Sequence, residues 1–492
     1  MLVAEESEVV ANSVGWQVYR YDLERPARAL PEHLSLYAPD LRTWIEKLGG
    51  RHGQRFLLGP DGLPDLRVNA FFASPTMRNR SDLTNRDYAY SLALWLNFLL
   101  VLGRGWWDAT EDDATEFQFW RLTDPRNEER VRKSSFAKDV AGCKKFYKWA
   151  GKRYQVVDPF DELEYERGRR QDNVKWLDPA AIRRWRDLGV RGRGLDGRRD
   201  RRWRGRNDQR DGAFVDGLYG TGLRLTSWSS VLLPELPRMA PGRGYFTCEL
   251  ADQCAKRENG YTYWMPRSVA AGAHGYREGA RARAVRRAQE SGLYESVRGL
   301  RVVQLSGKGK GVHLPDEKGG TVEKPWNDLP PQIRKRLFTE TPQGLEPLSL
   351  WLNEDGLPRD AHSWHHTFEA ANTRIEDLGL ENFSCTAHMH RHSFALRWFS
   401  VGKLIWAQRL GHLTEEESQD FREQFGDHWH LVQTMLGHLR VETTKEVYLG
   451  PFRNLQVEVL LAHAEGFPVG KFMADVFARH PRVRTDPLAV TR

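Results

Sequence analysis

The sequence has few cysteines, and their positions exclude two kinds of site. The 492-residue chain holds four of them, at Cys143, Cys248, Cys254 and Cys385. No two have the C-x-x-C spacing that is typical of a zinc ribbon or of a redox motif. Such sparse use of cysteine suits a reducing compartment, so we expect a cytoplasmic protein.

The sequence also lacks a long hydrophobic run and a secretory leader. The longest apolar run, from Leu92 to Leu102, is interrupted by Asn97 and is too short to cross a bilayer. The first residues, MLVAEESEVVANS, have no basic start followed by an apolar core, which argues against a signal peptide. We therefore expect no membrane partner.

What the chain does have is positive charge and many aromatic side chains. Its 74 Lys and Arg exceed its 66 Asp and Glu by 8. This excess favours a polyanionic partner through counterion release, although a generic basic surface explains it equally well. The 18 Trp and 22 Phe argue against wholesale disorder. The length predicts two or three domains.

The patterns along the chain predict five segments. Residues 1–72 carry no recognisable chemistry, residues 73–160 form a helical domain, residues 161–211 form an Arg-rich linker, residues 212–465 form a mixed domain, and residues 466–492 form a loose tail. In the helical domain an apolar face runs from Asp82 to Leu102, a second helix starts at Thr110, and a third starts at Ser134 or Ser135.

The linker contains RGRGLDGRRDRRWRGRNDQR, which is too polar to bury and too rich in Gly to hold a long helix. Two interpretations stay open. It is either a cationic strap that contacts phosphates through bidentate guanidinium bonds, or a plain solvated linker.

The mixed domain contains the side chains that DNA transesterification without a metal requires. Such a reaction needs a nucleophile, cations for the non-bridging oxygens and a proton for the departing oxygen. The candidates, in chain order, are Arg224 in TGLRLTSW, Lys308 in the turn GKGKG, His388 and Arg391 in HMHRHSFALRW, and His438 and Tyr448 in MLGHLRVETTKEVYLGP. The turn lies between Val302–Leu305 and Val312–Leu314, which predicts a hairpin. The spacing of His388 and Arg391 puts both on one helix face.

These motifs resemble the signature of the tyrosine recombinases, or phage integrases. The segment H-x-x-R-H-S-F-A begins at His388, L-G-H ends at His438, and Thr443-Thr444 precedes Tyr448. The basic helical segment is similar to the family's core-binding domain, and the resemblance covers residues 75–460. It implies an α+β fold, mostly α with a small β-sheet, in which a helical SAM-like core-binding domain precedes a tyrosine recombinase catalytic domain.

The resemblance also implies a function and the roles of the six candidates. The enzyme would cut and rejoin DNA as a site-specific recombinase of a mobile element. Arg224 and Arg391 would clamp the scissile phosphate, Lys308 would protonate the leaving 5′ oxygen, His388 would assist proton transfer at the tyrosine, His438 would bond to a phosphate oxygen, and Tyr448 would form the 3′-phosphotyrosine. No metal and no cofactor are implied.

The partners that the resemblance implies are double-stranded DNA and three further copies of the chain. Four protomers would act on two DNA sites, at the nucleoid, and an accessory directionality factor is left open.

Several alternatives stay open. Lys310 lies in the same turn as Lys308 and competes with it. Ser227 stands where many family members have an acidic residue, and the 84-residue gap between Arg224 and Lys308 indicates an insertion that includes a basic helix from Tyr276 to Tyr294. Leu410-Gly411-His412 repeats the L-G-H motif without a following T-T.

A metal site at His388, His390, His392 and Cys385 is disfavoured, because i, i+2, i+4 spacing scatters the imidazoles around a helix. A type IB topoisomerase would use the same six residues. A catalytically silent DNA-binding protein descended from a recombinase is the alternative of another class, and a missing catalytic residue would be its mark.

Overall fold

The computed structural model describes residues 2–4, 15–23, 41–47, 49–165, 176–297, 299–307, 309–315, 320–410, 414, 428–438, 483–484 and 486–488. Two of the candidate site residues, Lys308 and Tyr448, lie outside these described residues. The chain divides into two compact units, residues 1–171 and 172–492. None of the helices described is long and apolar enough to span a bilayer.

The first unit combines a small antiparallel sheet with a set of helices. Its strands are β1 (Leu2–Ala4), β2 (Gln17–Tyr21) and β3 (Arg55–Leu58), paired in the order β1-β2-β3. Its helices are α1 (Leu41–Lys47), α2 (Leu66–Ala73), α3 (Pro75–Arg78), α4 (Asp82–Val101), α5 (Glu111–Leu122) and α6 (Lys133–Tyr154).

Local capping sets where two of these helices begin. Helix α4 follows Ser81, whose hydroxyl accepts a bond from the Thr84 amide at 3.2 Å. Helix α5 follows a capping box in which Thr110 accepts from the Asp113 amide and the Asp113 carboxylate accepts from the Thr110 amide. The helix starts predicted at Asp82 and Thr110 are thus confirmed. The third helix starts at Lys133, one or two residues before the predicted start at Ser134 or Ser135.

The core of the first unit is aromatic and is tied together by hydrogen bonds. The Trp95 indole donates to the Tyr147 hydroxyl at 2.9 Å, and that hydroxyl donates to the Trp106 carbonyl at 2.8 Å. Phe117 packs edge to face on Trp95 at 5.2 Å between ring centroids. Since buried aromatic side chains contribute most to core stability, this cluster holds α4, α5 and α6 together.

The second unit is mostly helical with several small sheets. Its helices are α7 (Pro179–Trp185), α8 (Asp208–Thr221), α9 (Leu225–Ser229), α10 (Arg267–Tyr276), α11 (Ala282–Glu290), α12 (Pro331–Arg334), α13 (Ser363–Asp377), α14 (Ala387–Leu410) and α15 (His428–Leu436). Single π-helical turns, Arg186–Val190 and Arg277–Arg281, follow α7 and α10.

The strands described in the second unit form four small sheets. They are β4 (Trp176–Leu177), β5 (Tyr245–Leu250), β6 (Tyr261–Pro266), β7 (Arg301–Val302), β8 (Gln304–Leu305), β9 (Gly311–Pro315), β10 (Thr321–Pro325), β11 (Leu337–Thr341), β12 (Gly344–Pro347) and β13 (Val483–Arg484). Strands β5 and β6 form an antiparallel hairpin, β9 lies between β8 and β10, β11 lies between β7 and β12, and β4 pairs in parallel with β13. The hairpin predicted around the GKGKG turn is present, with Leu305 opposite Val312.

Helix α8 lies at the centre of this unit's core. Phe214 stacks on Trp364 with ring centroids 3.4 Å apart. The Trp228 ring packs directly on Gly217, so that a Cβ atom added at Gly217 would lie 2.3 Å from it. Both tryptophans are fully buried. This packing fixes the end of α8, and the first candidate arginine follows that end. The two units together confirm the expected fold class, mostly α with small β-sheets.

Two segments differ from the sequence-based expectation. Residues 176–190, placed in the linker, form β4, α7 and a π turn with Trp176 and Trp185 fully buried. The described end of the expected loose tail is held in place, since β13 pairs with β4 and Asp486 binds Arg184 at 3.1 Å. The apolar pattern of residues 176–190 is short, and the many charged residues of 161–211 conceal it. Strand β13 has only two residues, which is too few to show a periodicity.

Candidate active site

Helix α14 carries the H-x-x-R motif in its first turns. The Thr386 hydroxyl accepts from the Met389 amide at 3.3 Å at the start of the helix. His390 faces the core, where its ring packs edge to face on Trp185 at 5.8 Å between centroids. His388 and Arg391 lie on a different face, as the i, i+3 spacing predicts.

The Arg391 guanidinium joins three segments that are distant in the sequence. It is fully buried. Its Nη1 donates to the Gly222 carbonyl, and its Nη2 donates to the Leu436 carbonyl at 2.6 Å. Nη2 also lies 3.1 Å from His438 Nε2. Because guanidinium only donates, this contact requires an unprotonated Nε2 and assigns the proton of the neutral ring to Nδ1.

Arg224 reaches the site through a turn that only glycine can make. Gly222 ends α8 with φ +67°, and its amide donates to the Leu218 carbonyl at 3.0 Å. A Cβ at this position would lie 2.4 Å from the Phe394 ring. Arg224 then occupies the N-cap of α9 and is partly buried. The same turn therefore positions the Arg224 side chain and the Gly222 carbonyl that accepts a hydrogen bond from Arg391.

His438 is held by a second glycine turn after α15. Gly437 has φ +60°, and the Tyr261 ring fills the space where a side chain would stand, 2.2 Å from the Cβ position. The His438 amide donates to the Gln433 carbonyl at 3.0 Å, and the Gln433 side chain donates back to the His438 carbonyl at 2.9 Å. The L-G-H motif thus forms a closed turn that packs against β6.

The histidines of the site are buried among positive charges. Burial, and after it the charges of Arg391, Arg224 and Lys256, together lower the pKa of His438 to about 3. The pKa of His388 is lowered by burial and then by the same three cations. Both imidazoles are therefore neutral at pH 7, so each can accept a proton or a hydrogen bond. Cations that surround neutral rings form a site suited to an anion.

His392 belongs to the same cluster, and its ring contacts the ring of His388. The two rings pack edge to face with centroids 4.4 Å apart. Burial lowers the pKa of His392 to about 3, with smaller contributions from His388, Arg391 and His438. No group of three or more His, Cys, Asp or Glu in the described part of the chain is arranged to hold a metal ion.

The lysine that the structure brings to this cluster is one that the motifs did not indicate. Lys256 lies in the loop between β5 and β6, and its charge acts on both His388 and His438. The predicted Lys308 lies outside the described residues, and its competitor Lys310 is exposed near the tip of the β8–β9 hairpin. The segment CAKRENG has no local pattern that would single out Lys256, because its position arises from the pairing of β5 with β6.

Ser227 explains how that loop is held beside Arg224. Its hydroxyl is buried and donates to the Cys254 carbonyl at 2.9 Å. The position that carries an acidic residue in many phage integrases is therefore used here to tie α9 to the β5–β6 loop.

The comparisons with known proteins concern the helical unit and the fold. Residues 74–153 match the family model for the phage integrase, N-terminal SAM-like domain. No curated protein sequence matches the chain at a significant level.

Solved structures that resemble the chain are recombinases, at low similarity. One is XerH site-specific recombinase bound to palindromic difH substrate in a post-cleavage complex, with 12% identity, a TM-score of 0.44, and coverage of 81% of this chain and 85% of that chain. A pre-cleavage XerH complex with difH gives 12% identity, a TM-score of 0.43, and coverage of 82% and 85%. XerA recombinase gives 14% identity, a TM-score of 0.29, and coverage of 82% and 99%. Likeness at this level carries no argument about the chemistry of the site.

Proposed function

We propose that the chain is a site-specific DNA recombinase of the tyrosine recombinase, or phage integrase, type, a proposal supported by the match of residues 74–153 to the phage integrase SAM-like domain. It cuts and rejoins DNA through a 3′-phosphotyrosine intermediate. The observation that supports this proposal is the meeting of three segments at Arg391, which brings the Gly222 turn, helix α14 and the L-G-H turn around one buried guanidinium.

The two arginines act on the charge of the scissile phosphate. When a nucleophile attacks phosphorus, negative charge grows on the non-bridging oxygens, and fixed cations in a water-poor site stabilise it strongly. Arg391 is rigid because carbonyls of two turns hold its guanidinium. Arg224 is partly exposed, its charge acts on the same two histidines as that of Arg391, and it completes the clamp. No charge has to be reorganised as the reaction proceeds.

Tyr448 is the nucleophile of this proposal. Its phenol, with a pKa near 10 in water, is a weak nucleophile at pH 7 until a base takes its proton. His388, neutral at pH 7, accepts that proton. The Tyr448 oxygen then forms a bond to phosphorus, the bond to the 5′ oxygen breaks, and the 5′ oxygen takes up a proton.

Rejoining runs these steps in reverse. The free 5′ hydroxyl of a second strand attacks the phosphotyrosine, and Tyr448 leaves. The energy of the phosphodiester is kept in the phosphotyrosine bond, so no ATP is needed. Four protomers on two DNA sites exchange strands through a Holliday junction, and the enzyme serves a mobile element, with direction set by the sites or by an accessory factor.

A trapped covalent adduct tests the proposal. A duplex selected by the protein from a random pool is nicked at successive positions, so that one nick near the cleavage point lets a short fragment diffuse away after cleavage. Wild-type protein should then accumulate a covalent protein–DNA adduct, and Tyr448→Phe, which removes only the hydroxyl, should form none while binding the duplex equally well. Mass spectrometry of the adduct should place the DNA on Tyr448.

Other outcomes identify the alternatives. A wild-type protein that binds DNA but never forms an adduct is a silent DNA-binding protein. An adduct with relaxed plasmid but no recombined product from two selected sites indicates a type IB topoisomerase. An adduct on a tyrosine other than Tyr448 contradicts the assignment of the nucleophile.

A further inference from the structure

The Arg-rich stretch before α8 folds into a small knob, residues 192–205, which we call the arginine knob. Its tip is a tight turn in which the Gly194 amide donates to the Arg198 carbonyl at 2.7 Å and the Gly197 amide donates to the Gly194 carbonyl at 2.9 Å. Leu195 stands at this tip and is 44% exposed. The arginines on either side of the tip, Arg193, Arg198 and Arg199, are exposed as well. The tip thus presents one apolar side chain among several cations.

The base of the knob is fixed to the second unit. The Asp200 carboxylate accepts from the Arg374 guanidinium on α13 at 2.7 Å. The same guanidinium lies over the Trp203 ring, 5.0 Å from the ring centroid. The Trp203 ring in turn packs directly on Gly192 and Gly205. Because these contacts hold the knob in one shape, little conformational entropy is lost when its tip binds a partner.

The first unit has a groove of complementary composition, which we call the acidic groove. It is lined by α5 and by residues 162–164, and its volume is about 490 Å³. Its apolar lining comes from Phe119, Leu122 and Leu163, of which Phe119 is 56% exposed. Its carboxylates are those of Glu111, Glu162 and Glu164. None of the three pairs with a cation among the residues that the structure describes. In a chain of net charge +8, this surface disfavours DNA and favours a basic partner.

Phosphate is the other partner that exposed arginines suit, and the tip of the knob disfavours it. Asp196 is exposed beside Leu195, and its carboxylate would repel a phosphate. The knob also ends where α8 begins, whereas Arg224 follows the far end of this 14-residue helix, about 20 Å away at 1.5 Å per residue. An exposed leucine alone needs no explanation. It is the match of tip and groove, apolar against apolar and cation against carboxylate, that favours a protein partner.

We propose that the arginine knob of one copy of the chain binds in the acidic groove of a second copy. Leu195 packs on the apolar lining, and the arginines beside it bind the groove carboxylates through charge-assisted, bidentate hydrogen bonds. Because knob and groove are different surfaces, every copy uses both, and the contact repeats head to tail until it closes into a ring. Such a ring goes beyond the proposed function, since it requires no DNA cleavage, and it suits an assembly of four protomers.

Cross-linking without a spacer tests whether the two surfaces meet. Full-length Arg198→Lys/Arg199→Lys protein keeps the charge of the knob and supplies amines. It is mixed with isotopically labelled wild-type protein, alone and on the selected duplex. A carbodiimide then joins amines to carboxylates that are in direct contact, and mass spectrometry identifies the joined peptides and the isotope of each. The expected products join the introduced lysines of an unlabelled chain to Glu111, Glu162 or Glu164 of a labelled chain.

Charge reversal tests whether the contact stabilises the assembly. Self-association of the full-length protein is measured by analytical ultracentrifugation, with and without the selected duplex. Arg198→Glu/Arg199→Glu and Glu162→Arg/Glu164→Arg should each weaken association by about tenfold or more, because like charges then face each other across the interface. The variant that combines both reversals should associate within a few-fold of wild type, because opposite charges meet again.

The matched controls reverse the same number of charges at exposed positions elsewhere in the two units. They are Arg283→Glu/Arg286→Glu on α11 and Glu128→Arg/Glu129→Arg after α5. Each should associate within a few-fold of wild type, which separates the contact from an effect of net charge. Tyr448→Phe should also associate like wild type, because the contact does not depend on cleavage.

Three outcomes would overturn the proposal. Cross-links to the groove carboxylates could be absent or form only within one chain, or the combined reversal could associate as weakly as either reversal alone. Arg198→Glu/Arg199→Glu could also weaken duplex binding while Glu162→Arg/Glu164→Arg leaves self-association unchanged, which would assign the knob to phosphates. A protein that associates as expected but forms no covalent adduct with DNA would instead lose the proposed function and keep this contact, so the two failures are distinguishable.

Discussion

Replacing Gly222 by alanine should destabilise the second unit and disturb both candidate arginines. Gly222 adopts φ +67°, its carbonyl accepts from Arg391, and Arg224 follows two residues later. An added Cβ would meet the Phe394 ring at 2.4 Å, well inside the 3.5–4.0 Å at which carbon atoms pack. The substitution therefore combines backbone strain with a steric overlap.

The size of the effect can be worked from these two terms. A left-handed conformation costs a non-glycine residue about 1–2 kcal/mol. Overpacking a core by one methyl group costs about 1–3 kcal/mol more. Gly242 supplies the matched control, because it has φ +75° but nothing within 4 Å of its Cβ position. Gly242→Ala should show only the cost of the left-handed backbone. The free energies of unfolding of the two variants should therefore differ by the overpacking cost, about 1–3 kcal/mol.

Hydrogen exchange at increasing urea concentration measures this difference in the full chain. Peptides from α8 and α14 report on the second unit alone, so unfolding of the first unit does not interfere. In the adduct assay, Gly222→Ala should also cleave more slowly than Gly242→Ala. If Gly222→Ala destabilises α8 and α14 no more than Gly242→Ala does, the close packing of this turn on Phe394 is wrong, and with it the account of how the arginines are positioned.

Two further predictions concern pH and salt. Burial lowers the pKa of His390 to about 4 and that of His392 and His438 to about 3. The unfolded chain binds these protons near pH 6.5, whereas the folded chain binds them only near pH 3–4. The free energy of unfolding of the second unit should therefore be highest above pH 6.5 and should fall as the pH drops from 6.5 toward 3–4. The loss is up to about 1.4 kcal/mol per pH unit for each histidine. Urea midpoints at pH 7.5, 6 and 5, read from α14 peptides, should decrease, and a constant midpoint would contradict the buried neutral state. In the Arg-rich segment, Arg198, Arg199 and Arg201 are exposed and form no ion pair with other described residues. If they contact phosphates, replacing all three by Ala should reduce the slope of log K against log salt for duplex binding by about 0.9 for each lost contact. The charge-matched control Arg277→Ala/Arg283→Ala/Arg286→Ala should leave the slope unchanged, and an equal change in both would mean that only net charge matters.

The sequence predicted the parts of the site that are local in the chain. The spacing of His388 and Arg391 requires only a helix to bring them together, and L-G-H requires only a turn after a helix. The starts of α4 and α5 were equally predictable, because Ser81 and the Thr110–Asp113 pair satisfy helix-end amides within three residues.

The parts that the sequence did not predict depend on tertiary contacts. Lys256 reaches the site only because β5 pairs with β6 and because Ser227 and Tyr261 fasten the loop between them. That Gly222 must be glycine follows from φ and from the Phe394 ring, 172 residues away along the chain, and neither is visible in TGLR itself. The burial of Trp176 and Trp185 was masked by the many arginines that follow them.

The parallel pairing of β4 with β13 has a mechanical consequence. The chain enters the second unit just before Trp176 and passes Arg484 close to its other end, and the two strands run side by side in the same direction. Opposed forces on the two ends of the second unit therefore slide β4 and β13 past each other. The backbone hydrogen bonds between the two strands are then loaded together in shear rather than broken one at a time. The Leu177 amide also donates to Ser393 on α14 at 2.9 Å. This pair, with the Arg184–Asp486 bridge, therefore takes the first load and shields the helix that carries His388 and Arg391 from tension along the polypeptide.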